Sequence, residues 1–584
     1  MKYPFVQIIL AILVGSSTAL SSTAPTVVSV SPLAQSKTAP INTHITITFD
    51  TPMDPQTIDS TSIMVFGRWS GVARGQFQIE NNGTRIRFTP SSLFSVGEWV
   101  SVSLAKRIRS QSGQAMDHGY TWNFWIRTGI GSLSLTEVTR IPVRRPGESH
   151  IQSYGAYAGD LNSDGYTDLT IPNELSNDVR VFLNGGKGKD TTFVVHPLSG
   201  SSKPSISEGA DFNQDGTIDI AVGSTGNERI SVLLGDGAGG FSSITSYQAS
   251  ASVRGLSVMD LEGDGDMDIV TANRTGNNLT ILKNNGDGTF APGINMEANG
   301  NQETACAAAD ANGDGLLDLF VGAYASNEII LLLGDGNGGL AYSTKVSAGG
   351  KPWMIAVGDV NGDGNVDVVS ANSVSNNAAV ILGNGQGGLQ GAVTYPVGNF
   401  PLAIELGDLD GDGDLDLVTS NFSDGNWTIL ENAGSGTFIN PRFLQASTAG
   451  SCATLHDRDN DGDLDMTGID EIDDLLFLFD NSPQVSVTEN PQLPGEFKLM
   501  QNYPNPFNPT TIIKFALPHV GTRLAVSLRV FDLLGREVAT LVHEELKPGT
   551  YEVTFDGHGF ASSVYFYRLE AAKYRETKKL ILLR

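Results

Sequence analysis

Apolar and polar positions alternate in runs of four to eight residues along most of the chain, and Gly, Asn, Asp and Pro break the runs. That period predicts strands rather than helices from end to end. From Asp160 onward the pattern is also periodic at long range, because the same unit returns every 49 to 51 residues. Each unit has a short strand of small and apolar residues (355–358, 404–407), an acidic loop, and an apolar run (268–270, 416–418). A polar hairpin (275–278) and another strand (279–282) follow, then a glycine-rich turn (235–237, 334–336). A fourth strand closes the unit, opened by Phe241, Phe290, Leu340, Leu389 or Phe438. Four short strands per repeat predict one propeller blade per repeat, with the small residues on the crowded innermost strand. The seventh repeat runs through 475–479 and stops before a fourth strand, while the segment LSLTEVTRIPV (133–143) stands unpaired upstream of the first. Pairing these two ends would close the ring and leave no open edge, which predicts a seven-bladed β-propeller over 130–483.

The flanks follow the same strand period without the repeat. Residues 25–128 carry turns at 81–83 and 112–113 and suit a β-sandwich of about 100 residues, with Trp122 and Trp125 expected in its core. Residues 1–21 begin Met1-Lys2, continue with an apolar run over 5–15 and end in small residues, the pattern of a secretory signal peptide. The run is too short to span a bilayer and no other segment is apolar enough, so a soluble, exported chain without a transmembrane segment is expected. Cys306 and Cys452 are the only cysteines, which excludes a disulfide framework; they read as small buried apolar residues. A loose linker is expected over 484–495, before a last unit at 496–584.

Charge changes the picture in one place. The formal net charge is −27, yet from residue 484 onward 12 Lys and Arg stand against 10 Asp and Glu. The acidity therefore belongs to the rest of the chain and disfavours nucleic acid as a partner. Much of it lies in the seven loops. In DLNSDGYTD, Asp160, Asn162, Asp164 and Asp168 take positions 1, 3, 5 and 9, with Gly165 at position 6 and the carbonyl of Tyr166 at position 7. The second loop offers Asp211, Asn213, Asp215, Thr217 and Asp219, and the third Asp260, Glu262, Asp264, Asp266 and Asp268. The fourth has Asp310, Asn312, Asp314, Leu316 and Asp318, and the fifth Asp359, Asn361, Asp363, Asn365 and Asp367. The sixth has Asp408, Asp410, Asp412, Asp414 and Asp416, and the seventh Asp457, Asp459, Asp461, Asp463 and Asp465.

Alternate oxygens around a turning Gly suit Ca²⁺, which takes six to eight oxygen ligands, better than Mg²⁺, which demands strict octahedral geometry. Position 12, where a helix-loop-helix calcium site needs a bidentate Glu, is Ile171, Val222, Thr271, Val321, Ser370, Thr419 or Gly468, which excludes that fold. Metal-free solvated turns are the plain alternative; seven copies at a fixed period weigh against it. The expectation is about seven Ca²⁺, one per blade.

Residues 160–483 resemble the FG-GAP/VCBS repeats of integrin-α-type propellers, with DxNxDGxxD between the first two strands of each blade. The resemblance implies the fold and calcium binding but no single activity, since the family includes adhesion modules, lectin-like proteins and some polysaccharide lyases. The pieces ITITFDTPMDPQTI, RIRFTP and YTWNFWIRT resemble a bacterial Ig-like domain of the SbsA type. QNYPNPFNPTT (501–511), VSLRVFDLLGREVATL (526–541), KPGTYEVTFDG (547–557) and VYFYRL (564–569) resemble the type A C-terminal sorting domain of type IX secretion. That resemblance implies 496–584 as the handle for the secretion machinery and a secreted or outer-membrane-surface location.

The fold class is thus all-β: Ig-like sandwich, propeller, small C-terminal sandwich. No nucleophile elbow, phosphate loop or metal-spaced histidine pair is present, so no catalytic residue is assigned. His456, beside the seventh loop, reads as a tolerated variation. A non-catalytic module binding an extracellular glycan or protein is expected, with a polysaccharide lyase and a surface scaffold as the other readings. The face away from the acidic loops offers Arg254, Lys351, Trp353, Phe400 and Trp427, and an enlarged first connection adds Arg144 and Arg145.

Overall fold

A computed structural model describes residues 23–186, 188, 191–481, 485–486, 497–518, 524–546, 549–557, 560–571 and 573–583. Residues 1–21, read as a signal peptide, and the linker apart from 485–486 lie outside the described residues. Strands account for the regular structure among the described residues, apart from single 3-10 turns at Pro55–Thr57 and Asn81–Gly83.

Each repeat forms one four-stranded antiparallel sheet. The first blade runs outward through Tyr157–Gly159, Asp168–Asn173, Asp178–Phe182 and Phe193–Pro197, and five more follow the same order. In the seventh, Gly450–His456, Asp465–Asp470 and Leu475–Asp480 are completed by Thr136–Pro142 from before the first blade, with Leu475 opposite Pro142. The second strand of every blade is buried along its full length, because it pairs on both edges and packs on both faces. Phe290 and Leu389 do not open the fourth strands of their blades. They make single bridges to Asn284 and Gly383, and the ladders resume at Ile294–Met296 and Val393–Pro396. Pro292, which lacks an amide proton, and Gly391, which has no side chain to pack, interrupt the pairing there.

Neighbouring blades are joined through one recurring acceptor, the backbone carbonyl at position 2 of each acidic loop. Asn184, Asn284, Asn432 and Asn481 donate their side-chain amides to the carbonyls of Arg458, Phe212, Val360 and Leu409, at 2.7, 2.8, 2.8 and 2.6 Å. In the remaining three blades the equivalent residue is Gly235, Gly334 or Gly383. There a glycine of the following turn supplies the donor: Gly239, Gly338 and Gly387 give their amides to Leu161, Leu261 and Ala311. At Gly235 a Cβ would lie 2.4 Å from the carbonyl oxygen of Ile218, so the backbone can come close only without a side chain.

The N-terminal sandwich stacks the sheet Val27–Ser31, Ile45–Phe49, Arg85–Pro90, Gly75–Glu80 on the sheet Gly71–Val72, Ile63–Gly67, Trp99–Leu104, Tyr120–Trp125. Ile47, Ile86, Val102 and Phe124 fill the space between, with Trp122, whose indole donates to the carbonyl of Pro32 at 3.1 Å. Trp125 is not in that core. It packs with Val360, Leu406 and Leu415 of the propeller, because the sheet that carries it lies against the acidic-loop side of the ring.

The sandwich, together with Gly129 directly after it, reaches all seven acidic loops. Trp69 accepts the amide of Asp160, Arg74 donates to the carbonyl of Asp215 at 3.3 Å, and Lys106 donates to that of Glu262 at 2.7 Å. The Thr121 amide bonds the carbonyl of Gly315 and the Gly129 amide that of Gly462. Lys37 reaches the carbonyl of Asp359 at 3.1 Å and a carboxylate oxygen of Asp414 at 3.4 Å. The C-terminal unit is a second sandwich: Val485–Ser486, Gly549–Asp556, Thr510–Leu517 and Lys498–Leu499 in one sheet, Glu537–Leu546, Leu524–Phe531, Ser563–Ala571 and Tyr574–Leu582 in the other. Residues 485–486, expected to be linker, form an edge strand there.

The blade-to-blade bond makes a direct prediction. Asn432→Ala removes the donor to Val360 and to the carbonyl of Leu415 at 3.0 Å from a site that is 1 % exposed. A loss of about 1–3 kcal/mol per orphaned carbonyl is expected in a denaturant titration; an unchanged midpoint would remove the bond from the account of blade cohesion.

Candidate functional site

Two places concentrate chemistry: the acidic loops on one face and the mouth of the central channel on the other. In each loop the position 9 Asp is buried and both of its oxygens accept backbone amides. Asp168 takes Leu161 at 3.0 Å from the start of its loop and Asn184 at 2.7 Å from the end of the third strand. The same pair of bonds recurs at Asp219, Asp268, Asp318, Asp367, Asp416 and Asp465. The position 1 Asp holds the turn in a similar way: Asp160 accepts the amides of Asp164 at 3.0 Å and Gly165 at 2.9 Å.

Burial and neighbouring carboxylates push these groups upward. Asp168, Asp219, Asp318 and Asp367 rise to about 7, Asp211 to about 6, and Asp457 to about 8, all with burial as the largest cause. Carboxylate oxygens of Asp408, Asp410 and Asp416, and of Asp457, Asp459 and Asp465, converge within 4.8 Å of one another. Asp463 adds a buried oxygen that no donor reaches. An oxygen-only, carboxylate-rich donor set of this kind fits a hard cation such as Ca²⁺. Two loops carry cations of their own. Lys283 lies 2.6 Å from Glu262 in the third, and Arg458, which is 2 % exposed, lies 3.4 Å from Asp465 in the seventh.

On the opposite face the strand ends ring the channel mouth. Arg254 stacks over Tyr154 and Trp353, at 5.3 and 5.2 Å from the ring centres. Arg274 lies 4.8 Å from Trp353 and 4.6 Å from Tyr324, and the Lys351 ammonium 4.7 Å from Tyr324. The Trp353 indole donates to the Tyr154 hydroxyl at 2.9 Å, and Phe400 packs beside Trp353. Of the residues singled out from sequence, Arg254, Lys351, Trp353 and Phe400 are thus brought together. Trp427 is not. It is fully buried between the sixth and seventh blades, tilted against Phe477 and edge-on to Phe479 with its indole donating to the carbonyl of Cys452, since its strand position faces the neighbouring blade. Arg144 and Arg145 lie elsewhere, the first 3.8 Å from Asp474 and the second over the ring of Phe193.

Sequence families agree with this layout. Residues 21–125 match the bacterial Ig-like domain, and residues 160–222, 211–271, 260–321, 310–370, 359–419 and 408–467 match the FG-GAP-like repeat, together more than half of the chain. The chain belongs to the FG-GAP-like repeat family. Residues 501–583 match the secretion system C-terminal sorting domain. That domain marks the protein for type IX export, to the cell surface or the medium, and no helix among the described residues is long and apolar enough to cross a membrane. No curated protein matches the chain. Similar solved structures include an Agrocybe aegerita lectin described as recognising non-reducing terminal N-acetylglucosamine, at 20% identity and TM-score 0.38, covering 56% of this chain and 87% of that one. A BBS1N complex with ARL6DN matches at 12% and 0.43, over 59% and 97%, and a functionally unknown protein of Desulfotomaculum acetoxidans at 14% and 0.37, over 65% and 96%.

Three features of this FG-GAP-like propeller escaped the sequence reading. The first is the composition of the mouth. Glu174, Arg274, Tyr324, Phe422 and Glu471 all follow the second strand directly, at the same place in their repeats, so reading that one position down the array would have exposed them. Glu174 and Glu471 are each 5 % exposed, and each keeps one oxygen without a hydrogen-bond donor. Burial, then the charge of Glu174, holds Glu471 up at about 7, with Arg254 opposing.

The second is His456, which is a tie rather than a tolerated variation. It bonds Thr167 of the first blade at 2.6 Å and Thr467 of the seventh at 2.9 Å, and burial and Arg458 push it down to about 3, so it is neutral.

The third is a cavity of about 300 Å³ along the axis, walled by the innermost strands and roofed by Phe66, Arg68, Trp99 and Trp125 of the Ig-like domain. Arg68 reaches in to lie 3.0 Å from Glu405 and 3.9 Å from Glu208. Cys306 and Cys452 face the same cavity, and burial raises both thiols, Cys452 to about 12, so neither is a thiolate nucleophile.

Burial raises Glu405 from the ordinary carboxylate value to about 7, against the pull of Arg68. A pKa raised on folding contributes stability below the unfolded value that is lost as pH rises through the folded one. In calcium-containing buffer the melting temperature is therefore expected to fall between pH 5 and pH 8, and the fall to be shallower in Glu405→Gln. Identical slopes in the two proteins would contradict the assignment.

Proposed function

We propose that this exported protein is a calcium-stabilised, non-catalytic binding module that presents the channel mouth to an extracellular glycan or protein. One observation carries the reading: the Ig-like domain occupies the acidic-loop face at all seven loops, while the other face ends in half-buried rings and cations around the axis. Aromatic and arginine groups on rigid strand ends are the usual anchors of recognition. Binding at this mouth needs no rearrangement of the fold.

The role of calcium follows from electrostatics. Asp408, Asp410 and Asp416, and likewise Asp457, Asp459 and Asp465, are carboxylates pressed together and largely out of water, and a divalent cation there supplies the missing positive charge. Ligand that binds only the folded form stabilises it by about 2.7 kcal/mol per site at a hundredfold excess over Kd. Chelation is accordingly expected to lower the melting temperature, and added calcium to restore it. A melting curve indifferent to both would sink calcium as the stabilising ion.

A second reading has one observation behind it. Glu471, raised to about 7, sits with Glu174, Arg254 and Tyr154, a set of acid, base and cation that a polysaccharide lyase could use. Incubation with uronate polysaccharides, followed at the ultraviolet absorbance of unsaturated ends, separates the two. Turnover that disappears in Glu471→Gln would replace the binding reading with the enzymatic one.

A further inference from the structure

We infer that the channel mouth is a receptor for the oxyanions, carboxylate or sulfate, of an acidic glycan. The inference rests on the reading that this mouth binds an extracellular ligand, and it names the ligand's chemistry. Three cations meet there within reach of the same rings: Arg254 and Arg274 both lean on Trp353, and Arg274 and Lys351 both lean on Tyr324. Only Arg254 has a carboxylate near it, Glu174 at 4.0 Å. Among the described residues neither Arg274 nor Lys351 makes an ion pair within 4.0 Å.

Arg274 and Lys351 are thus held near Arg254 without an ion pair of their own, on a chain whose formal net charge is −27. Arg254 adds its repulsion to Arg274 directly, second only to burial among the influences that lower the Arg274 guanidinium. Such an arrangement costs free energy that a bound anion would return.

The manner of holding the cations matters as much as their number. A guanidinium stacked on a ring is fixed in place while its in-plane N–H groups stay unspent, so they remain available to a planar oxyanion. Arg254 keeps its Nε and one terminal nitrogen without a hydrogen-bond acceptor. The rings therefore act as platforms for the cations. Phe400 and Phe422, adjacent at 6.2 Å between ring centres and carrying no cation, leave apolar surface of the kind the C–H face of a sugar ring covers. Glu174 and Glu471 lie at the edge of the same site, two carboxyl groups against three cations, and burial is the main cause that raises both carboxyls.

The test uses the full chain in calcium buffer against four immobilised probes: an oligogalacturonate, a sulfated galactan, an unsubstituted galactan and a poly-glutamate peptide. Binding to one or both acidic glycans, weakened by salt and absent on the neutral galactan, is expected, and the two acidic arms distinguish carboxylate from sulfate. Arg274→Gln and Lys351→Gln, both at half-buried positions, should each weaken it about tenfold or more, with the melting temperature unchanged. Equal binding to the neutral galactan, or insensitivity to both substitutions, would overturn the inference while leaving glycan binding intact. Preference for poly-glutamate would overturn the glycan and keep the anion site. Silence on all four would overturn the inference and, with it, the binding reading for glycans.

Discussion

Seven buried backbone carbonyls, one in each acidic loop, decide whether the blades form a ring or seven separate sheets. Each lies where water is excluded, and an unmet carbonyl there costs about 1–3 kcal/mol. The neighbouring blade meets every one, by an asparagine side chain four times and by a glycine amide three times. The position 9 aspartates do the complementary task within a blade, tying the start of the loop to the end of the third strand. Side-chain packing between blades is large in area but has no direction; these bonds fix the register in which that packing occurs.

The same loops serve as a landing surface. The Ig-like domain docks mainly on the backbone carbonyls of Asp215, Glu262, Asp359 and Gly462, through Arg74, Lys106, Lys37 and the amide of Gly129, and takes up one loop carboxylate, that of Asp414, with Lys37. Basic side chains over acidic loops also offset part of the charge that the loops concentrate. The cost is that Arg68, at the centre of the docked face, must enter the axial cavity, where Glu208 and Glu405 receive it. Burial there is the main cause that raises Glu405 to about 7, with Arg68 opposing it and Glu208 adding to it.

Repetition made most of the fold legible. The spacing of the loops, the orphan segment 133–143 and the missing fourth strand of the seventh repeat are arithmetic on the sequence, and the strand Thr136–Pro142 pairs where that arithmetic puts it. What could not be read was anything set by contact between units. Trp125 and Trp427 have the same alternating neighbours as surface aromatics, yet one is covered by the propeller and the other by the next blade. His456 looked like noise in a repeat because its partner, Thr167, is almost the whole propeller away in sequence. The mouth was half legible: Arg254, Lys351, Trp353 and Phe400 stand out as residue types, whereas Arg274, Tyr324 and Phe422 show only when one position is followed down the repeats, and the chemistry of Glu174 and Glu471 only when burial and the lack of donors are known.

The borrowed strand of the seventh blade sets a clock on folding. Thr136–Pro142 leaves the ribosome before the first blade, but its partner Leu475–Asp480 comes only after the seventh acidic loop. Until then the segment has no sheet to join, and the first six blades have no closed ring to lean on. The contact is among the longest in sequence that the chain makes, and contacts of that kind are slow to form. The sorting domain follows within a few tens of residues of the closing strand, so the handle for the secretion machinery is synthesised only once the ring has all of its parts.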